Sequence, residues 1–196
     1  MSNLEALILG LIQGLTEFLP ISSSGHLEIG KTFFGNNYQD YDSLLLTLVL
    51  HLGTALSTIF VFKKEIFEIL SSLLKLKNDD KTLFALKIAI LPGISRSGST
   101  ISMALILGIH KEKAAQFSFL MVLPVIFGGI FKLLLDIEKT SVDIDYLSLG
   151  IGFFTAFISG FFACKWMVTI VRNSKLKNFS FYCIFVGVIS IFYGLF

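Results

Sequence analysis

The chain has 196 residues, of which 54% are hydrophobic and 15% charged, and its mean hydropathy is +0.80. A soluble domain carries about 25% charged residues, so the composition predicts an integral membrane protein. The formal net charge is only +2 and no basic–aromatic stripe is present, which argues against a nucleic-acid partner.

Four apolar stretches contain no Asp, Glu, Lys or Arg and approach the length of about 20 residues that crosses a bilayer. They are residues 43–62, 114–131, 146–164 and 178–196. We predict that each of them forms a membrane-spanning helix.

Two further apolar segments are interrupted by helix-breaking residues. Residues 4–19 stop at Pro20 and three serines and resume at 27–34, and residues 82–91 stop at Pro92 and Gly93 and resume at 101–109. Pro and Gly end helices, and each half is too short to cross a bilayer. Since non-helical backbone at membrane depth must be buried in protein or line a polar cavity, we predict two re-entrant helical hairpins.

Basic residues test this topology. With both hairpins re-entrant, every basic cluster falls on the same side of the membrane, which is then cytoplasmic, and both termini lie outside. These clusters are Lys63, Lys64, Lys75, Lys77 and Lys81; Lys111 and Lys113; and Arg172, Lys175 and Lys177. Residues 63–77 predict an amphipathic interfacial helix on that side, with a solvated linker as the alternative.

The two interruptions resemble each other. LPISSSGH at residues 19–26 parallels LPGISRSGS at 91–99, and the two predicted hairpins enter from opposite sides. The sequence therefore predicts an all-α, inverted-topology repeat in a single membrane domain, with halves at residues 1–81 and 82–196. Such folds place their site near the midplane, where the broken helices meet.

Both interruptions carry groups that suit a phosphate or diphosphate. Serine is a favoured N-cap, and the free N–H groups of a helix N-terminus bind anions. Arg96 adds a planar guanidinium, which is costly in an apolar chain unless it is paired, so a structural ion pair with Glu17 is the alternative. The predicted substrate-binding residues are Gln13, Ser22, Ser24, Gly25, Ser95, Ser97, Gly98 and Thr100.

The first interruption also carries catalytic residue types. Gln13 and Glu17 are four apart and share a helix face, and His26 follows the serine turn. A carboxylate in a poorly hydrated site suits proton transfer or metal binding. Glu17, Ser23, His26 and Arg96 together supply the base, nucleophile, acid and charge clamp of phosphoryl transfer.

Residues 13–26 and 92–100 resemble the two signature motifs of the undecaprenyl-diphosphate phosphatase family, and residues 49–57 and 116–124 are also similar to it. The resemblance implies a bacterial inner-membrane enzyme that removes the terminal phosphate of undecaprenyl diphosphate and recycles the lipid carrier for cell-wall synthesis. It implies a site facing the periplasm and a divalent cation, Mg²⁺ or Ca²⁺, for which Glu17 is the predicted ligand.

The family's essential Ser, His and Arg fall on Ser23, His26 and Arg96. Attack on phosphorus by Ser23 is favoured, and attack by His26 is the alternative.

The chain departs from the family in one place, because it lacks two spans between the interfacial helix and the second motif. Their loss would expose an apolar groove, which makes a homodimer plausible. Two other functions remain open from the sequence: a transporter or flippase for lipid phosphate, favoured by the inverted repeat, and an inactive relative that only binds lipid or a partner.

Overall fold

A computed structural model describes residues 2–35, 40–67, 96–136, 145–172 and 177–195. Within these ranges the chain is helical and contains no strand. The helices are α1 (Asn3–Thr16), α2 (Ser23–Phe33), α3 (Asp40–Val61), α4 (Arg96–Ile106), α5 (Lys111–Asp136), α6 (Tyr146–Arg172) and α7 (Lys177–Leu195). Residues 63–67 are also helical, and the rest of the predicted interfacial helix lies outside the described residues, as does the predicted half-helix at 82–91.

Among the described residues, three helices are long and apolar enough to cross a membrane. They are Ser43–Val61, Lys111–Lys132 and Tyr146–Val171, which confirms three of the four predicted spans in position. α6 continues to Arg172, beyond its predicted end at residue 164, and the ammonium of Lys165 lies 4.1 Å from the centre of the Phe161 ring, a favourable cation–π contact. The fourth predicted span falls on α7, whose apolar part, Asn178–Phe192, is shorter than a full span, and it stays a prediction.

The first predicted interruption is confirmed as a break between α1 and α2. A capping box between Ser2 and Glu5 starts α1, and Glu17 caps its end. α2 then returns antiparallel to α1, since a Cβ atom at Gly30 would lie 2.9 Å from Leu9 Cδ2. The start of α1 and the end of α2 therefore lie at the same end of the molecule.

α6 lies between α1 and α3 and runs parallel to both. Gly10 of α1 meets Gly152, and Gly14 meets Ser159 so closely that a Cβ atom at Gly14 would overlap the serine hydroxyl. On the other side, a Cβ atom at Gly53 of α3 would lie 2.6 Å from the Phe153 carbonyl oxygen. Small residues at these contacts let the helix backbones approach closely, as is common in membrane bundles.

α5 runs antiparallel to α3 and gives the molecule two distinct ends. Phe119 near the start of α5 packs on Phe62 (ring centroids 6.2 Å apart), whereas Gly129 near its end contacts Leu48. One end, called here the basic end, carries Lys63, Lys64, Lys111 and Lys113. The opposite end, called the N-terminal end, carries the starts of α1, α3 and α6.

α4 begins beside the break between α1 and α2. The Ser97 hydroxyl donates to the Leu19 carbonyl (3.1 Å), and Ile101 packs in one cluster with Phe18 and Phe119. α4 ends at the basic end, where Gly108 adopts a φ of +79° that a side chain would disfavour. α2 and α4 thus begin close together and run to opposite ends of the molecule.

Candidate active site

Glu17 is the centre of a buried polar cluster at the end of α1. Glu17 is only 9% exposed, and its Oε2 accepts hydrogen bonds from Gln13 Nε2 (2.9 Å) and Ser23 Oγ (2.5 Å). The break after α1 is what allows Ser23, the first residue of α2, to reach back to this carboxylate. Burial of an ionised carboxylate is costly, and these two donors offset that cost.

His51 joins the same cluster from α3 and was not predicted as a site residue. Its Nε2 lies 3.6 Å from Glu17 Oε2, and its Nδ1 lies 2.7 Å from the Thr47 carbonyl oxygen. A carbonyl oxygen can only accept, so Nδ1 carries a proton and Nε2 is the atom presented to Glu17. The sequence feature that could have identified it is the presence of a histidine inside the apolar run at residues 49–57.

His26 does not contact Glu17, although the sequence suggested that it reaches the same point. Its Nδ1 lies 2.8 Å from the Ser22 carbonyl oxygen, and its Nε2 lies 2.8 Å from the hydroxyl of Tyr182 on α7. The two rings are nearly parallel, with an interplanar angle of 8° and centroids 5.7 Å apart. Tyr182 is a second residue that the sequence did not single out, because one tyrosine in an aromatic-rich apolar run carries no signal.

The N-terminus of α2 is open. Its N-cap residue, Ser22, adopts a left-handed conformation (φ 67°, ψ 88°), and its side chain makes no capping hydrogen bond. Ser24 and Gly25 in the first turn are exposed. Uncapped N–H groups at a helix start, reinforced by the helix dipole, can bind an anion.

The second motif reaches this break through its backbone and Ser97. Arg96 is the first residue of α4, so its backbone lies beside the break, while its side chain and Ser95 lie outside the described part of the chain. Gly98 follows in the same first turn. Thr100 is buried one turn further on, 2.5 Å from the Ser118 hydroxyl of α5.

The cluster contains a hydroxyl, a carboxylate in direct contact with it and a further residue that orients the carboxylate. This is the arrangement by which proteins activate a serine nucleophile. It lies next to an open helix N-terminus in a chain with three membrane-length helices. The fold and the site therefore define a polytopic membrane protein with a candidate phosphoryl-transfer centre.

Comparison with known proteins gives the family. The sequence model of the family described as bacitracin resistance protein BacA matches residues 6–88 and 84–189. The chain belongs to this family, which confirms the resemblance noted in the sequence.

Named relatives align over almost the whole chain. An undecaprenyl-diphosphatase of Christiangramia forsetii is 40% identical, with 99% of each chain covered. A protein of the same name from Bacteroides thetaiotaomicron is 38% identical, over 95% of this chain and 97% of its own. One from Methanococcus vannielii is 32% identical, over 97% of this chain and 100% of its own.

The alignments also bear on the departure from the family. The alignment with the Christiangramia forsetii protein extends over 261 positions, whereas this chain has 196 residues, so at least 65 positions have no counterpart here. The two matched segments of the family model meet at residues 84–88, immediately before the second motif. This is where the sequence predicts that two spans are missing.

Proposed function

We propose that the protein hydrolyses undecaprenyl diphosphate, or a related prenyl diphosphate, to the monophosphate and inorganic phosphate, and so recycles a lipid carrier for cell-wall synthesis. The observation that carries this proposal is the 2.5 Å contact between Ser23 Oγ and Glu17 Oε2 at the open start of α2. The relatives named undecaprenyl-diphosphatase support the choice of substrate.

In the proposed reaction Ser23 attacks the terminal phosphorus while Glu17 accepts the hydroxyl proton. The lipid monophosphate leaves, and Glu17 releases its proton to solvent. Water then attacks the phosphoserine, Glu17 accepts a proton from that water and passes it to the departing Ser23 oxygen, and inorganic phosphate is released. Ser23 is favoured over His26 as nucleophile because its hydroxyl already contacts a base, whereas both ring nitrogens of His26 are engaged.

The phosphates are proposed to bind between the starts of α2 and α4. Both helices present their first-turn N–H groups there, and the Ser97 hydroxyl ties the two starts together through Leu19. The groups assigned to this role are the predicted substrate-binding residues other than Gln13, together with the predicted catalytic Arg96, namely Ser22, Ser24, Gly25, Ser95, Arg96, Ser97, Gly98 and Thr100. The Arg96 guanidinium is proposed to clamp the phosphate oxygens, as a planar fork does elsewhere.

A divalent cation fits the residues at the end of α1 in part. Gln13 Oε1 is fully buried and has no hydrogen-bond partner among the described residues, and it belongs to the side chain that contacts Glu17. Mg²⁺ and Ca²⁺ prefer such oxygen ligands, so Gln13 and Glu17 would hold the ion. When bound, the ion would neutralise charge on the diphosphate.

The topology proposed is a multi-pass protein of the bacterial inner membrane, with four spans and two re-entrant hairpins in an inverted repeat. Its support is geometric: α2 returns to the end where α1 starts, and α4 runs the opposite way from the same point. With the basic end in the cytoplasm, both termini lie outside, and the site is proposed to open to the periplasm, as the family resemblance implies. A homodimer that covers the groove left by the missing positions is proposed with it.

The test is phosphate release by purified protein in detergent from undecaprenyl and farnesyl diphosphate, with and without Mg²⁺ or Ca²⁺. Glu17→Gln keeps the shape of the side chain but removes the base, and we expect it to lower kcat by about a hundredfold or more. Equal rates for the two proteins would overturn the proposed mechanism. Movement of labelled lipid phosphate across vesicles without hydrolysis would instead favour a transporter.

A further inference from the structure

α7 contacts the rest of the described structure through one face, at the level of the break. Phe179 packs on the core cluster around Phe18, Tyr182 contacts His26, and the Cys183 thiol lies 3.8 Å from the Pro20 carbonyl oxygen. Tyr182 and Cys183 lie three and four residues after Phe179, so all three face the same side of the helix. α7 therefore lies beside the break and the start of α2.

Tyr182 brings a hydroxyl to a helix that is otherwise strongly apolar there. Its neighbours Phe181, Ile184 and Phe185 expose 72%, 64% and 65% of their surface on the other faces. Tyr182 itself remains 41% exposed, so the residue is open to a bound molecule while its hydroxyl contacts His26.

The hydrogen bonds of His26 determine which ring nitrogen can exchange a proton and with which group. The Ser22 carbonyl can only accept, so Nδ1 keeps its proton and Nε2 is the atom that can gain or lose one. The Tyr182 hydroxyl lies 2.8 Å from Nε2 and can both accept from it and donate to a further oxygen. Any proton that leaves Nε2 along this hydrogen bond passes to Tyr182.

We propose that Tyr182 is a further catalytic residue, whose hydroxyl carries a proton from His26 Nε2 to the oxygen that bridges the two phosphorus atoms of the substrate. This inference rests on the proposed function. As the bond between the bridging oxygen and the terminal phosphorus breaks, its electron pair stays on that oxygen, which takes the hydroxyl proton of Tyr182. The imidazolium of His26 simultaneously returns a proton to the phenol and becomes neutral. His26 Nε2 then regains a proton from solvent, which balances the proton that Glu17 releases to solvent before water attacks.

The test compares initial rates of phosphate release from farnesyl diphosphate for the wild type, Tyr182→Phe, His26→Asn and the double variant. Phe keeps the ring that stacks on His26 and removes only the hydroxyl. We expect Tyr182→Phe to lower kcat by about a hundredfold or more with little change in KM, as loss of a general acid does. Because the two residues act in series, the double variant should lose no more than the poorer single variant.

The matched control is Tyr146→Phe, since Tyr146 is 78% exposed at the start of α6 and lies at the N-terminal end. Binding of farnesyl methylenediphosphonate, which cannot be hydrolysed, is measured for each variant. Wild-type kcat in Tyr182→Phe, additive losses in the double variant, or loss of analogue binding by Tyr182→Phe would each overturn the relay. No phosphate release from the wild type would instead overturn the proposed function, and the relay with it.

Discussion

Within the described residues, α1, α2 and α3 contribute Gln13, Ser23 and His51 as neighbours of Glu17, and His51 is the farthest of these along the chain. His51→Ala removes the ring beside Glu17 Oε2 and leaves Gln13 and Ser23 in place. We expect kcat to fall by about tenfold, because loss of the ring that lies 3.6 Å from the carboxylate leaves Glu17 less precisely positioned against Ser23. The measurement is phosphate release from farnesyl diphosphate, with His110→Ala, an exposed histidine, as control. Equal rates for the two variants would contradict the role given to His51.

Ser22 holds a backbone conformation that costs a residue with a side chain about 1 kcal/mol or more. Ser22→Gly removes this strain, and the lost hydroxyl makes no capping bond. We expect the glycine variant to unfold at a higher temperature in detergent, and Ser22→Val to unfold at a lower one. A lower midpoint for the glycine variant would show that the serine side chain stabilises the break.

At the residue scale, the sequence predicts the members of the cluster that are close in the chain. Gln13 and Glu17 share a helix face because they are four residues apart, and Ser23 follows the helix break that Pro20 indicates. His51 and Tyr182 could not be predicted in this way, because each reaches the site from a distant helix. Their contacts depend on how α3 and α7 pack, which the local pattern does not specify.

The packing of α1 on α6 sets the position of Glu17, because Gly14 lies one turn before it in α1. A Cβ atom at Gly14 would overlap Ser159 Oγ and lie 2.7 Å from the Gly160 nitrogen. Gly14→Ala should therefore push the helices apart and destabilise the protein by about 1–3 kcal/mol. Thermal unfolding in detergent, followed together with activity, measures this effect.

The matched control for Gly14→Ala is Gly128→Ala in α5, where a Cβ atom would meet nothing within 4 Å. Alanine in an open helical position is favoured over glycine by about 0.5–1 kcal/mol, so this variant should be as stable as the wild type or more so. A Gly14→Ala protein as stable as the Gly128→Ala protein would refute the close packing of α1 and α6.

At the scale of helices, hydropathy locates the three long apolar helices well because a span must be apolar along its length. It places the end of α6 too early, because the charged Lys165 ends the uncharged stretch. The helix nevertheless continues to Arg172, and the Lys165 ammonium lies over the Phe161 ring. Its apolar runs resume several residues after α2 and α4 have begun, whereas the serine N-cap signals in SSSG and SRSG predict those starts. Serine, glycine and arginine in their first turns are polar, yet they are helical.

For the molecule as a whole, the distribution of charge predicts the orientation in the membrane. In a Cys183→Ser background, Lys64→Cys reports the basic end and Tyr146→Cys the N-terminal end. We expect a membrane-impermeant thiol reagent added to intact cells to label Tyr146→Cys and to leave Lys64→Cys unlabelled until the membrane is opened. The reverse pattern would invert the proposed topology.

The chain lacks at least 65 positions of its alignment with the Christiangramia forsetii relative, and the two matched segments of the family model meet at residues 84–88. The polar cluster around Glu17 lies elsewhere in the chain. Gln13, Glu17, Ser23 and His51 are all contributed by α1, α2 and α3. We therefore expect that catalysis by this cluster does not require the absent positions.

The most direct test of Ser23 as nucleophile and Glu17 as base is phosphate release from undecaprenyl diphosphate by the purified wild type and Ser23→Ala. The control is Thr32→Ala, which removes a hydroxyl from the same helix that bonds only to the Glu28 carbonyl oxygen at 2.9 Å. We expect release by the wild type and by Thr32→Ala, and loss of about a thousandfold in Ser23→Ala, as when a nucleophile is removed. Comparable release by all three proteins would contradict the assignment of Ser23 and Glu17 as the reacting pair.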